Sequence, residues 1–149
     1  MRITMKGDYG LRAMIDLATH YGRGPVPSAE IAARQFIPEH FLDQLLITLR
    51  RAGLLKSQRG PQGGHMLARP PAQITMSDVV RALEGNTAPM ECVPTPATCQ
   101  LSPGCALREV WVQVEDFAQK LLESTTLEAL AERHRLPNQK QEEEAMYYI

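Results

Sequence analysis

Residues 49–64 read Leu49-Arg50-Arg51-Ala52-Gly53-Leu54-Leu55-Lys56-Ser57-Gln58-Arg59-Gly60-Pro61-Gln62-Gly63-Gly64, and this stretch decides the fold. It contains the end of an amphipathic helix, a glycine that stops the helix, a short apolar run and a glycine-rich tip. His65-Met66-Leu67-Ala68 follows the tip, so the sequence predicts a β-hairpin with strands over 54–57 and 65–68.

The segment before the hairpin predicts a helix-turn-helix. A helix from about Pro38 to Ala52 has one apolar stripe, formed by Phe41, Leu42, Leu45, Leu46 and Leu49. A shorter helix capped by Ser28 precedes it, with Ile31, Ala32 and Phe36 facing inward. The turn at Ile37-Pro38 is sharp, because a residue before proline avoids the helical conformation. A hairpin directly after two such helices is a wing, and Arg59 at its tip suits the strongly negative minor groove.

Two more helices complete a predicted winged helix-turn-helix domain over residues 1–85. Thr4 caps the first helix, and Thr75 with Asp78 forms a capping box for a helix that Gly85 ends. The predicted fold is therefore mostly α with one small β-hairpin.

The rear half adds a loop, a long helix and a tail. Prolines break residues 86–104, which hold or adjoin all three cysteines, and periodicity returns over 105–124. The apolar positions of that segment predict a dimerisation helix, although packing against the core is the alternative; they are Leu107, Val110, Trp111, Val114, Phe117, Ala118 and Leu121. Thr125 and Glu128 predict a capping box for a short helix over 125–136, and residues 137–149 form a polar, flexible tail.

Composition favours a cytosolic chain with a nucleic-acid-binding module, and an uneven but ordinary solvated surface is the alternative. Residues 1–71 contain ten Lys and Arg against five Asp and Glu, whereas residues 72–149 contain six against twelve. A basic front half is expected of a DNA-binding module. There is neither an apolar run long enough for a membrane span nor a signal-peptide pattern, so we expect no membrane partner. The sequence has no nucleophile–base pairing or phosphate-binding loop, and we expect no enzymatic activity.

Cys92, Cys99 and Cys105 lie within fourteen residues of a proline-rich loop. Thiolates bind iron–sulfur clusters, zinc or copper(I), but the Cys-x2-Cys pairs of structural zinc sites are absent. A thiol switch and incidental cysteines are the other interpretations that the spacing leaves open.

The assembly resembles the bacterial winged-helix regulators of the IscR, NsrR and CymR type over residues 1 to about 135. The resemblance is carried by residues 1–13 (MRITMKGDYGLRA), 41–45 (FLDQL), 49–55 (LRRAGLL) and above all 59–64 (RGPQGG). The three-cysteine loop is similar to the cluster-binding branch rather than to the cysteine-metabolism regulators that lack a cluster.

The resemblance implies a homodimeric transcriptional regulator that binds a pseudo-palindromic operator in double-stranded DNA. Thr4, Lys6 and Tyr9 would touch the DNA backbone near the first helix. His40, Asp43 and Gln44 would face base edges in the major groove. Arg59, Gly60, Gly63 and Gly64 would enter the minor groove, and Arg50, Arg51 and Lys56 would contact phosphates.

The resemblance also implies an iron–sulfur cluster on Cys92, Cys99 and Cys105, with [2Fe-2S] favoured over [4Fe-4S]. Two departures matter: the first cysteine gap is six residues where the family has five, and Arg108 replaces the histidine that is the fourth ligand in IscR-like members. NsrR-like members take a fourth ligand from the partner's first helix, and Asp8 stands at that position. Asp8 in trans is therefore the predicted fourth ligand, and a plain helix-start carboxylate is the alternative.

The cluster would sense redox state, oxygen, nitric oxide or iron–sulfur supply, and iron–sulfur assembly proteins are candidate further partners. Two rivals stay open. One is a clusterless thiol- or metabolite-responsive regulator that acts with a partner protein. The other is an interaction or cluster-carrier module that does not read DNA.

Overall fold

A computed structural model of the chain describes residues 1–134 and residue 146. Residues 1–134 form six α-helices and one two-stranded antiparallel sheet. In order these are α1 (Met5–Thr19), α2 (Ser28–Gln35), α3 (Glu39–Arg51), β1 (Leu55–Gln58), β2 (Gly64–Leu67), α4 (Met76–Glu84), α5 (Ala106–Ser124) and α6 (127–134). The winged helix-turn-helix architecture with a long helix behind it is confirmed. The predicted tail over 137–149 lies outside the described residues except for Met146.

One apolar core joins the front helices to the last described helix. α1 packs against α2, α3 and α4, and Met14, Leu42 and Ile74 are fully buried between them. α6 returns to the same core through Leu127 and Ala131, which are 0% and 4% exposed. A short backbone bridge brings α6 back beside the start of α4. The helix-turn-helix therefore shares its core with a segment that follows α5.

A buried carboxylate joins α1 to α2. Asp16 is 3% exposed, and Arg34 donates to both of its oxygens, with Nε 2.9 Å from Oδ1 and Nη2 2.8 Å from Oδ2. Gln35 Nε2 donates to Oδ1 at 3.1 Å. Arg34 also reaches Glu30 at 3.4 Å, but that second carboxylate is exposed. The pair with Asp16 thus adds a buried polar contact to the apolar packing of α2 against α1.

Of the four predicted capping residues, Thr75 is correct in full, Thr4 is correct in position only, and Ser28 and Thr125 are wrong. In α4 the Thr75 hydroxyl accepts from the Asp78 amide and the Asp78 carboxylate accepts from the Thr75 amide, as predicted. Ser28 is the first residue of α2, and Pro27 holds the cap position. Thr4 holds the cap position of α1, but its side chain makes no capping bond there.

The last cap is displaced by one residue. The Thr126 hydroxyl accepts from the Ala129 amide at 3.1 Å, so the predicted Thr125 and Glu128 box is wrong. Thr125 instead donates to the Leu121 carbonyl at the end of α5. Its own carbonyl accepts from the Met76 amide at 2.9 Å.

The hairpin strands are shifted by one residue from the prediction, with Leu55 opposite Leu67 and Gln58 opposite Gly64. Phe36 differs more. It was expected to face the core, yet it is 88% exposed and adopts a left-handed backbone with φ 53°. None of the described helices is long and apolar enough to cross a membrane.

Candidate DNA interface and cysteine loop

The outer face of α3 carries the residues predicted to read bases. Leu42, Leu45, Leu46 and Leu49 are buried on the inner face. His40, Asp43 and Gln44 are exposed on the other side. Phe41 packs edge-on against Tyr9 of α1, with ring centroids 5.7 Å apart. The helix is thus held by its apolar side and presents a polar face, as recognition of a major groove requires.

The wing is anchored at its base and exposed at its tip. Gly64 has φ 154° and lies so close to the segment before α2 that a Cβ would stand 2.4 Å from the Val26 carbonyl group. Val26 and His65 exchange two backbone hydrogen bonds of 2.8 and 2.9 Å beside it. Arg59 and Gly60 are exposed at the tip, and Gly63 is half-buried. The close approach of Val26 therefore explains why residue 64 is a glycine. At Gly60 a Cβ would meet nothing within 4 Å.

His65 links the wing to α3 electrostatically. Burial lowers the pKa of His65, Asp43 partly opposes this, and Arg50 lowers the pKa further. The Ser57 hydroxyl lies 3.0 Å from its Nδ1 across the hairpin. The ring is therefore biased toward its neutral form at the base of the wing.

Several cations of the front half have no ion-pair partner among the described residues. Arg12, Arg34 and Arg69 pair with carboxylates. Seven exposed cations of residues 1–71 have no such partner, and four of them lie on α3 and the wing: Arg50, Arg51, Lys56 and Arg59; the others are Arg2, Lys6 and Arg23. Unpaired cations around α3 and the wing suit contacts with phosphates.

Glu84, at the end of α4, caps the start of α1. Its Oε1 accepts from the Thr4 amide (2.8 Å), the Thr4 hydroxyl (2.6 Å) and the Gly7 amide (3.0 Å). The amide and the hydroxyl of Thr4 are therefore both hydrogen-bonded within the chain. Lys6, by contrast, is exposed. A carboxylate at a helix start is stabilised by the helix dipole. The sequence contained no local sign of this contact, because 80 residues separate its partners.

The pKa of Glu84 is lowered overall. Burial, the largest single effect, raises this pKa, but the hydrogen bonds from Thr4 and Gly7 together with the charge of Lys6 outweigh it. A Cβ on Gly7 would lie 2.5 Å from Glu84 Oε1, so the missing side chain makes room for the carboxylate.

The cysteine loop is held by the residue that replaced the expected histidine. Arg108 Nε donates to the Cys92 carbonyl at 2.7 Å, and its Nη2 donates to the Val93 carbonyl at 3.2 Å. Cys92, Cys99 and Cys105 are all half-buried free thiols. Cys105 also holds the cap position of α5, so the loop passes directly into the long helix.

Cys99 and Arg108 help to line a cavity of about 530 Å³ at this loop. Ser102 lines it as well, and its hydroxyl is buried without a hydrogen-bond partner.

The described residues of one chain do not assemble a metal site. No three Cys, His, Asp or Glu side chains between residues 1 and 134 come together as a group that could hold a metal. Asp8 is half-buried on α1 and pairs with Arg12 at 2.5 Å. Three free thiols have the donor chemistry of an iron–sulfur site. For them to converge on one cluster, the loop must change or a further ligand must take part.

α5 presents its apolar stripe to solvent, and none of its residues is buried. Ala118 is half-buried, and the exposed members with their exposed fractions are Leu107 (70%), Val110 (54%), Trp111 (38%), Val114 (41%), Phe117 (73%) and Leu121 (57%). A stripe of this length exceeds the scattered apolar residues of an ordinary surface. The alternative, that this stripe packs on the core of its own chain, is therefore not observed.

Comparison with known proteins gives one family. A profile described as "Rrf2: Iron-dependent Transcriptional regulator" matches residues 3–133. The transcriptional regulator CymR of Bacillus subtilis is 43% identical over 131 residues, which are 88% of this chain and 90% of that protein. The regulator IscR of Photorhabdus laumondii is 37% identical over 130 residues, which are 87% and 79% of the two chains.

Solved structures of the same family resemble this chain as well. The global cysteine regulator CymR of B. subtilis superposes with a TM-score of 0.76 at 41% identity, over 89% of this chain and 98% of that one. IscR of T. potens gives a TM-score of 0.75 at 38% identity, over 90% and 88% of the two chains.

Proposed function

The chain belongs to the Rrf2 family of transcriptional regulators and is not an enzyme, and we propose that it is a homodimer whose affinity for operator DNA is controlled by an iron–sulfur cluster. The observation that carries the proposal is the cysteine loop. Three free, half-buried thiols lie on one segment that Arg108 fastens to the first turn of α5.

The DNA-reading surface would consist of α3 and the wing. His40, Asp43 and Gln44 are exposed where base edges would lie. Arg50, Arg51, Lys56 and Arg59 supply unpaired charge for phosphates or the minor groove. Lys6 and Tyr9 would extend the contact along the DNA backbone. Thr4 would reach a phosphate only by leaving Glu84, so its role is to place the start of α1.

The second chain has two roles in this proposal. Its α5 would cover the exposed apolar stripe, because two such helices can pack their stripes against each other. Asp8 of the partner subunit would complete the ligand set of the cysteine loop. When bound, the cluster would add redox chemistry and a rigid link between the two chains. Changes in the cluster would then shift the population of the DNA-binding arrangement.

A clusterless regulator that responds to thiols or a metabolite is the second candidate. Two observations favour it: no three possible ligands are grouped within residues 1–134, and Arg108 binds loop carbonyls where a ligand histidine was expected. In this case oxidation of the thiols, or a partner protein on the loop, would change DNA affinity.

Anaerobic purification of the full chain separates the two candidates. We expect a coloured protein with visible absorption and stoichiometric iron and sulfide, which Cys92→Ser, Cys99→Ser or Cys105→Ser removes. Gln100→Ala, an exposed change in the same loop, should leave absorption and iron content unchanged. A colourless, iron-free wild-type protein that still binds promoter DNA would favour the clusterless candidate.

The ligand role of Asp8 is tested with a matched pair of variants. Asp8→Ala and Arg12→Ala both break the ion pair on α1, but only the first removes the carboxylate. We expect Asp8→Ala to shift the visible spectrum and shorten the cluster lifetime, while Arg12→Ala keeps both near wild type. Equal behaviour of the two variants would exclude Asp8 as a ligand.

A further inference from the structure

Phe36 has a conformation that its own fold does not explain. It is the one non-glycine among the described residues with a positive φ (53°, with ψ 46°), and its side chain is 88% exposed. The left-handed region crowds any Cβ, so helix ends of this kind usually carry glycine or asparagine. A large apolar ring here is unfavourable both for the backbone and for the surface.

The turn that carries Phe36 is well defined. The Ile37 amide donates to the Ala32 carbonyl at 3.0 Å, which is the bond that closes the end of α2. Ile37 itself is 4% exposed and anchors the turn in the core. The ring is therefore directed outward by a fixed backbone. Violations of local sequence rules in natural proteins concentrate at functional sites.

The place of this turn indicates what the ring meets. In a helix-turn-helix the first residues of the second helix contact base edges in the major groove. α3 begins at Glu39, three residues after Phe36, and His40, Asp43 and Gln44 follow within its first two turns, all of them exposed. The exposed ring thus immediately precedes the predicted base-reading residues in the chain. Within a major groove, the apolar feature that a phenylalanine can contact is the C5-methyl group of thymine.

We propose that Phe36 is a specificity-determining residue that contacts a thymine methyl group at the edge of the major groove in each half of the operator. The inference rests on the proposed DNA-reading function. It adds an apolar reader to the polar residues of α3. It also explains why phenylalanine stands at a left-handed position. The contact with DNA would compensate for the unfavourable backbone conformation in the free protein.

The experiment uses the full-length protein and duplex DNA whose sequence it selects itself. A pool of random duplexes is enriched on the wild-type protein, and the resulting site is remade with single thymines replaced by deoxyuridine, which lacks only the methyl group. At one position per half-site, we expect the replacement to weaken wild-type binding about fourfold, the effect of exposing one methyl group. Replacement in both halves should weaken binding about fifteenfold, as the product of the two effects.

Phe36→Gly and Phe36→Leu are the decisive variants. Glycine suits the backbone and removes the ring, so this variant should unfold at an equal or higher temperature yet bind thymine and deoxyuridine sites alike. Leucine keeps apolar bulk and should retain most of the discrimination. Phe36→Asn, which also tolerates the left-handed region, repeats the glycine test if that variant is poorly folded.

Three results would overturn the inference. One is equal sensitivity of wild type and Phe36→Gly to deoxyuridine at every position. Another is a loss of affinity in Phe36→Gly that is uniform across all sequences, which indicates a sugar–phosphate contact. The third is the finding that the ring is needed for self-association but has no effect on DNA binding. If wild-type protein enriches no sequence at all, the proposed DNA-reading function itself fails, and this outcome is distinct from the other three.

Discussion

Asp16 shows how a single side chain constrains the DNA-reading helices. It lies in the core between α1 and α2, and its carboxylate is compensated by Arg34 and Gln35. Removing one member of a buried ion pair leaves an unbalanced charge, which is far more costly than losing an exposed pair. The orientation of α2, and with it the turn before α3, depends on this contact.

Arg34→Ala should therefore lower the free energy of unfolding by about 2 kcal/mol, less than for a fully buried pair because the Arg34 side chain is itself 37% exposed. The matched control is Glu30→Ala, which breaks only the exposed pair with Arg34 and should cost less than about 1 kcal/mol. Urea denaturation of both variants measures the difference. Equal losses would mean that Asp16 does not need Arg34.

Glu84 makes the attachment of α1 dependent on pH. Its folded pKa lies below its ordinary value, so its contribution to stability is complete above the unfolded pKa. The contribution is lost as the pH falls through the lower folded pKa. The stability difference between wild type and Glu84→Gln should be largest at pH 6 and should shrink below about pH 4.5. Denaturation series from pH 6 to 3 measure it, and a constant difference would contradict the assigned hydrogen bonds.

At the level of elements, local patterns predicted most of the fold. The apolar stripe of α3 and the glycine-rich hairpin specify their elements within a few residues of sequence, so these predictions are confirmed. The capping box at Thr75 is equally local. Thr4, by contrast, is hydrogen-bonded to a residue 80 positions away, and no periodic pattern in the sequence indicates such a contact.

At the candidate site, too, the sequence predicts local features but not contacts between distant residues. The thiols were visible in the sequence, but the role of Arg108 as a clamp was not, because its partners are backbone carbonyls 15 and 16 residues away. Phe36 was misplaced because its hydrophobicity predicted burial, while the turn geometry turned it outward.

Arg108→Ala should release the loop from α5. Alkylation of the three thiols in cluster-free, reduced protein should become several-fold faster, because the loop opens more often when its two charge-assisted bonds are lost. Arg133→Ala, an exposed change on α6, is the control and should leave the rate unchanged. An unaltered alkylation rate in Arg108→Ala would show that the clamp does not restrain the thiols.

For the whole molecule, we propose that the exposed apolar stripe of α5 forms the interface between two copies of the chain. Phe117→Glu places a charge at a position that is 73% exposed in one chain. Its fold should be intact, but two chains would have to bury that charge. We expect a shift from dimer to monomer in sedimentation equilibrium, with operator affinity reduced at least tenfold.

Gln113→Glu introduces the same charge at an exposed polar position of α5 and is the matched control. It should remain dimeric and bind DNA like wild type. A dimeric Phe117→Glu variant would mean that the stripe is covered by something other than a second copy.

The position of Cys105 at the cap of α5 has a consequence for the cell. If the ligand set is completed across the interface, a lone chain cannot hold a cluster, and occupancy follows the law of mass action. At low copy number the regulator would then lose its sensor by dilution alone, without any chemical signal. Expression level would become a second input to the same switch.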